Sequence, residues 1–238
     1  MAADRALLDV AAREGVVLLR LYRWQPFCLS FGCNEPALRR YDRQRIQDLG
    51  LDTVRRPTGG RAVWHARELT YAVAAPEAAF GPLRAAYLAL HAMLAGAVRR
   101  LGGDAVLAPD PASTASLESG PCFAHPAGGE VLVRGRKVVG SAQVRLGSAF
   151  LQHGSILLED DQAVAAEVST GRAEAGRELP LSRALGRSVG WEEAADAVTA
   201  EFGAQFGAQP GLLPPAALEP GIERNAPVFQ SEAWTWRR

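Results

Sequence analysis

The chain has 238 residues, in which 26 lysines and arginines balance 26 aspartates and glutamates. This length corresponds to one or two domains, and a hydrophobic content of 48% is typical of a globular rather than a disordered protein. The zero net charge argues against a general nucleic-acid-binding protein, because such a protein needs a basic surplus to neutralise phosphates.

The N-terminal residues do not have the pattern of a signal peptide. The first residues lack a charged region followed by an apolar run. No apolar run approaches the ~20 residues of a membrane span. We therefore expect a soluble, cytoplasmic protein, with a monomer as the simplest expectation for its oligomeric state.

The N-terminal half alternates helical and extended patterns. Apolar residues at helical spacing predict helices over 3–12 and 83–101, and a short charged helix is predicted over 41–49, ending at Gly50. Runs of branched and aromatic residues predict strands over 16–24, 28–31, 52–56, 61–65 and 69–74. The longest predicted helix ends at a pair of glycines, which is a common way for a helix to stop.

The C-terminal half begins with a predicted loop over 108–120. Strands are predicted over 130–133 and 136–144, joined by a tight turn at Arg134-Gly135, and over 150–158. A helix is predicted over 191–206, an irregular proline-rich segment over 207–227, and a short edge strand where Trp234 and Trp236 alternate. With no internal repeat or linker, the sequence predicts one α+β domain over 1–238, a mixed, mostly antiparallel sheet flanked by helices.

The three cysteines do not form a pattern typical of disulfides or zinc sites. Cys28 and Cys33 lie in an apolar stretch and are interpreted as small buried hydrophobic residues. Cys122 follows a proline in a predicted loop. A loop cysteine beside a cation can have its thiol pKa lowered and act as a nucleophile, although an inert half-buried thiol is the simpler interpretation.

Lys137 is the one lysine of the chain; every other basic side chain is an arginine. The bias itself has no necessary functional meaning. A lysine retained against that bias is nevertheless a candidate functional residue, because lysine can lose its proton in a buried site and arginine cannot. It lies in the segment 135–143, where small residues leave room for a ligand.

The densest polar segment is RRPTGGRAVWH at 55–65. Its paired glycines allow a close approach of backbone N–H groups to a ligand, and three arginines could hold an anionic group. The alternative is a hairpin turn with solvated arginines. The segment lacks the spacing of a Walker loop.

The histidines and serines give weaker signals. The four histidines have no metal-ligand spacing, so no metal site is predicted. His153 lies on a predicted strand beside a glycine, where a histidine is more often a hydrogen-bonded structural residue than a base. A GxSxG nucleophile motif is absent.

Several segments together resemble the lipoate-protein ligase and octanoyltransferase family. They are LRLYRWQPFCLSFG at 19–32, RRPTGGRAVWH followed by ELTY at 68–71, GRKVVGSAQVR at 135–145 and LQHGSILL at 151–158. The resemblance covers about 4–206, most of the chain. It implies the α+β fold of the catalytic domains of biotin and lipoate protein ligases.

The family contains ATP-dependent ligases and transferases that use an acyl thioester. Two features resemble the LipM-type octanoyltransferase branch. Arg61 occupies the position where many ligases have a third glycine. Cys122 lies fifteen positions before Lys137, where that branch has its nucleophilic cysteine. The short C-terminal region also leaves little room for the accessory domain of larger ligases.

The resemblance implies an octanoyltransferase of lipoate biosynthesis, with catalytic residues Cys122 and Lys137 and no cofactor or metal. The donor would be octanoyl-acyl carrier protein. The acceptor would be a lysine of a lipoyl-domain protein, such as the glycine cleavage H protein or the E2 subunit of a 2-oxoacid dehydrogenase. Its implied substrate-binding residues are Arg55, Arg56, Thr58, Gly59, Gly60, Arg61, Ala62, Val63, His65, Tyr71, Gly140, Ser141, Ala142, Gln143, His153 and Gly154.

Three alternatives remain open at this point. An ATP-dependent lipoate-protein ligase would need ATP and Mg²⁺ and would tolerate loss of Cys122. A lipoyl-domain amidotransferase of the same fold would also use a cysteine. A non-catalytic lipoyl-domain binding protein would function without Cys122.

Overall fold

The computed structural model describes residues 1–109, 128–159, 162–171, 178–207 and 211–237. Its largest sheet is antiparallel and has four strands. In spatial order they are β1 (Leu18–Tyr22), β5 (Glu68–Pro76), β10 (Ala149–Leu157) and β9 (Val139–Leu146). Eight of the nine residues of β5 are buried, because helices cover both faces of this central strand.

Two three-stranded sheets complete the framework that the described residues form. In the second sheet, β2 (Cys28–Phe31) lies between β3 (Asp52–Arg55) and β4 (Val63–His65). Strand β2 is parallel to β3 and antiparallel to β4. The third sheet is antiparallel, with β6 (Ala105–Leu107), β7 (Val131–Val133) and β8 (Arg136–Lys137) in that order. The second sheet positions the loop between β3 and β4, which becomes important for the candidate site.

Helices cover the large sheet on both sides. The long helices α5 (Leu83–Arg100) and α8 (Trp191–Phe206) pack together and enclose the main core with one face of the sheet. Helix α1 (Ala2–Glu14) covers the other face. The remaining helices are α2 (Ala37–Arg40), α3 (Arg43–Asp48), α4 (Glu77–Phe80), α6 (Ala163–Glu167), α7 (Leu181–Leu185), α9 (Glu219–Gln230) and α10 (Glu232–Thr235). No helix in these ranges is both long and apolar enough to cross a lipid bilayer.

The predicted strand over 136–144 is divided in the structure. Residues up to Lys137 pair with β7, whereas those from Val139 onward pair with β10. Val138 lies between the two sheets, where its N–H donates to Val131 and its carbonyl accepts from Leu157. Val138 and Val139 are both buried and form one continuous apolar pair across this point, so the sequence contains no sign of the division.

The prediction of an irregular segment over 207–227 is wrong from Glu219 onward, where α9 begins. Pro220 lies in the first turn of α9, a position at which the missing N–H of proline costs nothing. The predicted edge strand at Trp234 is also wrong, because α10 occupies that position. Trp236 follows α10 and packs against Phe31 of β2, so its apolar character reflects tertiary packing rather than a strand.

Candidate functional site

A small pocket lies where β4, β9 and β10 meet the end of β1. It brings together eight of the predicted substrate-binding residues, namely Arg56, Val63, His65, Gly140, Ser141, Ala142, His153 and Gly154. Its volume is about 30 Å³, well below the roughly 300 Å³ or more of typical ligand pockets.

The glycine loop between β3 and β4 packs tightly against the end of β2. A Cβ atom on Gly32 would lie 1.8 Å from the carbonyl oxygen of Gly60, and Gly60 itself has a φ of 90°. The Cys33 N–H donates to the Thr58 carbonyl at 2.7 Å. This close approach of two backbones requires glycine at position 32 and fixes the loop beside the pocket.

Arg56 holds the same loop from within. Its Nη1 donates to the Ser30 carbonyl at 2.8 Å and to Ser30 Oγ at 2.6 Å. Its Nη2 donates to the carbonyls of Gly59 at 3.1 Å and Arg61 at 2.8 Å. Arg56 therefore joins the pocket wall to the loop and places a positive charge at the pocket.

The structure does not bring Arg55 to the pocket. Its buried guanidinium donates to backbone carbonyls of two segments, those of Gly32, Cys33 and Glu35 after β2 and those of Trp234, Thr235 and Arg237 near the C-terminal end of the described residues. Burial and the nearby Arg237 lower the pKa of this guanidinium. Arg55 thus ties the C-terminal segment to the end of β2.

Seven further predicted residues also lie outside the pocket lining, namely Thr58, Gly59, Gly60, Arg61, Ala62, Tyr71 and Gln143. The Arg61 carbonyl accepts from Arg56, and the Ala62 N–H donates to Tyr41 Oη at 3.3 Å. Gln143 Nε2 donates to the Leu83 carbonyl and to Gln152 Oε1. These contacts hold the loop and β9 in position, and the groups that make them do not line the pocket.

A hydrogen-bonded chain links helix α1 to the glycine loop through His153. The Asp4 carboxylate is fully buried and accepts from His153 Nδ1 at 3.0 Å, while His153 Nε2 lies 2.6 Å from Thr58 Oγ1. Burial lowers the pKa of His153, and the bond to Asp4 opposes this shift. With Nδ1 carrying the proton, Nε2 accepts from the Thr58 hydroxyl.

Asp4 also accepts from Arg20 and from the Tyr22 hydroxyl. Burial alone would raise the pKa of Asp4, but the His153 hydrogen bond and nearby positive charges hold that pKa well below its usual value. Asp4 is therefore a fixed negative charge behind the pocket. Sequence reasoning missed it, because nothing near position 4 indicates its distant partners.

A second chain runs through His65. His65 Nδ1 lies 2.7 Å from Glu68 Oε1, and His65 Nε2 lies 2.6 Å from Ser30 Oγ. The Trp24 ring stacks on the His65 ring with centroids 4.4 Å apart, and its indole N–H donates to Thr70 Oγ1. These contacts hold the His65 ring in one orientation at the pocket wall.

A third chain lies behind Ser141. Ser141 Oγ lies 2.8 Å from His91 Nε2 and 2.6 Å from the Tyr71 hydroxyl, and His91 Nδ1 donates to the Gly129 carbonyl at 2.7 Å. His91 Nε2 is thus an acceptor for Ser141. Burial lowers the pKa of His91 to about 4 and raises that of Tyr71 to about 12. Tyr71, predicted as a pocket wall, acts here as a hydrogen-bond partner of the wall.

The depressed pKa of His91 predicts a loss of stability in mild acid. In the unfolded chain His91 gains a proton below its ordinary pKa of 6.5, whereas the folded protein holds it neutral down to about 4. Stability therefore falls as pH drops from about 6.5 to about 4, by about 3 kcal/mol from this group. Denaturant unfolding of wild type and His91→Gln across this range should show a shallower pH slope in the variant. Equal slopes would contradict a neutral, buried His91.

Lys137 lies at the end of the third sheet rather than among the residues that line the pocket. The residue is 1% exposed, and its Nζ donates to Glu130 Oε1 at 2.5 Å. Cys122 lies outside the described residues, so the predicted pairing of Cys122 with Lys137 stays a prediction.

Sequence reasoning also missed five pocket residues, namely Met1, Tyr22, Trp24, Thr70 and Ser155. A signal for one of them was present. Side chains alternate along a strand, so Ser155 faces the same side of β10 as His153. Extending the prediction by two residues along that strand would have included it.

The comparisons with known proteins place these observations in a family. Residues 1–203 match the model of the lipoyl protein ligase A/B catalytic domain. The chain therefore belongs to this family, which confirms the resemblance found in the sequence.

Among curated relatives, the chain is 36% identical to octanoyltransferase LipM of Exiguobacterium sibiricum, over 100% of this chain and 94% of that protein. It is 37% identical to octanoyltransferase LipM of Moorella thermoacetica, over 81% of this chain and 72% of that protein. It is 42% identical to octanoyltransferase LipM of Kyrpidia tusciae, over 68% of this chain and 62% of that protein.

Solved structures confirm the predicted fold. A crystal structure of lipoate-protein ligase A bound with ATP superposes with a TM-score of 0.81 and 19% identity, covering 99% of this chain and 92% of that one. A putative lipoate protein ligase from T. acidophilum with bound lipoic acid superposes with a TM-score of 0.80 and 19% identity, covering 99% and 93%. At this identity the likeness concerns the fold.

Proposed function

We propose that this protein is an acyltransferase of lipoate biosynthesis that moves an octanoyl group from octanoyl-acyl carrier protein to a lysine of a lipoyl-domain protein. The observation that carries the proposal is the 36% identity to an octanoyltransferase over the whole chain. The pocket supports it, because eight of the residues expected to bind substrate lie together there.

The proposed reaction has two steps. The Cys122 thiolate attacks the octanoyl thioester, a new C–S bond forms, and the carrier-protein thiolate leaves. The neutral acceptor amine then attacks the acyl-enzyme, an amide C–N bond forms, the C–S bond breaks, and the amine proton passes to the released thiolate. The first step exchanges one thioester for another and the second forms a more stable amide, so neither needs ATP.

The backbone of β9 offers a place for the developing oxyanion. β9 is the outer strand of its sheet as the described residues form it. In an antiparallel pair, alternate N–H groups face away from the partner strand. Within 140–143 such groups are candidates to stabilise negative charge on the thioester oxygen.

The decisive experiment is the intact mass of the purified protein after incubation with octanoyl-acyl carrier protein, with and without ATP. We expect one octanoyl adduct, independent of ATP and removed by hydroxylamine. The absence of an adduct, together with lipoate-dependent labelling of a lipoyl domain only in the presence of ATP, would make the protein a ligase.

The same assay separates the remaining alternatives. An amidotransferase would take its octanoyl group from an octanoylated lipoyl-domain protein in preference to the acyl carrier protein. A non-catalytic binding protein would form no adduct with either donor and would transfer nothing with ATP. Either result would overturn the proposal.

A further inference from the structure

A second and larger cavity opens beside the pocket. It is a groove of about 640 Å³ between the β1–β2 connection, the turn before β5 and the start of α8. Its walls are mostly apolar and aromatic, formed by Trp24, Pro26, Phe27, Leu158, Val189 and Trp191. Trp24 lines both cavities, so the groove and the pocket share a wall.

Glu68 lines this groove and is only 3% exposed. Its Oε1 has three hydrogen-bonding partners: it accepts from the Thr70 and Ser155 hydroxyls and contacts His65 Nδ1. Its Oε2 is buried and has no hydrogen-bond partner in the described structure. A buried carboxylate oxygen without a donor is energetically costly, so a ligand that brought a donor to this atom would gain a strong contact.

A second orphaned group lies in the same groove. The indole Nε1 of Trp191 is buried and finds no acceptor among the described residues. Both residues line the groove, and each has one buried atom without a partner, an acceptor on Glu68 and a donor on Trp191. A ligand with an N–H donor and a carbonyl would satisfy both.

The arginines at the rim of the groove are held by other carboxylates. Arg23 pairs with Glu192. Arg67 Nε lies 3.5 Å from Glu159 Oε2. Glu68 has no arginine or lysine partner among the described residues, so a cationic ligand could supply the missing donor.

We infer that this groove binds the side chain of the acceptor lysine. Its ammonium donates to Glu68 Oε2, and its apolar four-carbon stem packs along the aromatic walls. Trp191 Nε1 donates to a backbone carbonyl of the acceptor segment. This inference rests on the proposed function and adds to it the route by which the acceptor approaches.

The position of Glu68 suits that role. Glu68 Oε1 contacts His65 and Ser155, which both line the pocket, and Trp24 stacks on His65. An ammonium at Oε2 is therefore one side chain away from the pocket proposed for the acyl group.

The test is a double-mutant cycle by calorimetry, without any octanoyl donor. Wild type and Glu68→Gln are titrated with an unmodified lipoyl domain and with the same domain whose acceptor lysine is replaced by methionine. We expect wild type to bind the lysine form about tenfold more tightly than the methionine form. In Glu68→Gln this preference should disappear, with little change in binding of the methionine form. An equal preference in both proteins would overturn the inference.

Two controls make the result specific. Glu159→Gln removes a neighbouring rim carboxylate that already has a partner, and it should keep the full preference for lysine. The lysine and methionine forms of the lipoyl domain can be compared with the wild-type enzyme alone, so this comparison does not depend on the folding of an enzyme variant. Equal binding of the two forms to the wild-type enzyme would itself overturn the inference. Phe27→Ala, at an exposed wall position, should weaken the binding of both forms severalfold if the stem packs in the groove.

The failure of this inference is distinguishable from failure of the proposed function. Formation of the octanoyl adduct reports on the first half-reaction and involves no acceptor. A normal adduct with no preference for lysine would support the transferase function and contradict the proposed role of the groove. A clear preference for lysine without an adduct would support the proposed role of the groove and contradict the thioester route.

Discussion

Replacing Cys122 with alanine should abolish octanoyl transfer, with a fall in rate of about 10³-fold or more. The reason is that a covalent route cannot proceed without its nucleophile, and removal of a nucleophile typically costs at least this much. The measurement is transfer of octanoate to a lipoyl domain, together with intact mass after incubation with the donor. The variant should show neither product nor adduct.

The other two cysteines provide matched controls. Burial raises the pKa of the Cys28 thiol to about 12, which keeps it protonated and unreactive. Cys33 Sγ accepts a hydrogen bond from Arg237 Nη2 at 2.9 Å. Cys28→Ala and Cys33→Ala should therefore keep the adduct and the transfer rate within about twofold. Full activity of Cys122→Ala, or loss of the adduct in Cys28→Ala, would contradict the assignment.

Local sequence patterns were sufficient for most of the framework. The predicted bounds of β2 and α8 are those observed, and α5 ends one residue earlier than predicted. These elements have a clear apolar period and flanking breakers, which are local signals. The division at Val138 has no such signal, because it depends on which sheet each half of the strand joins.

The candidate site was predictable where its residues share one segment. The run 140–142 lines the pocket as expected, whereas the segment around the glycine loop contributes only Arg56 and Val63 to the lining. Asp4 and Glu68 were not identified as functional. Their importance comes from partners far along the chain, such as His153 for Asp4, and only the folded arrangement brings these together.

The three histidine-centred chains share one physical design. In each, one imidazole nitrogen is held by a carboxylate or a carbonyl, and the other meets a hydroxyl. The hydroxyls belong to Thr58 in the glycine loop, Ser30 at the base of Arg56, and Ser141 on β9. Fixed partners on both nitrogens prevent ring rotation and hold these segments in place around the pocket.

Lys137 presents the second large effect, because its loss should affect both stability and activity. Lys137 Nζ donates to the buried Glu130 carboxylate. Removing one member of a buried pair leaves the other charge poorly compensated and typically costs 3–5 kcal/mol. We expect Lys137→Met to lower the free energy of unfolding by about 3 kcal/mol, measured by denaturant titration.

The double variant Lys137→Met/Glu130→Gln separates the two roles. With both charges removed, most of the lost stability should return. If Lys137 also lowers the pKa of the Cys122 thiol, octanoyl transfer will remain depressed in the double variant. The pH profile of Cys122 alkylation, in a Cys33→Ala background, should then move toward the ~8.5 of a free thiol. Recovery of stability and transfer rate together, with an unchanged alkylation profile, would show that Lys137 acts only through its buried ion pair.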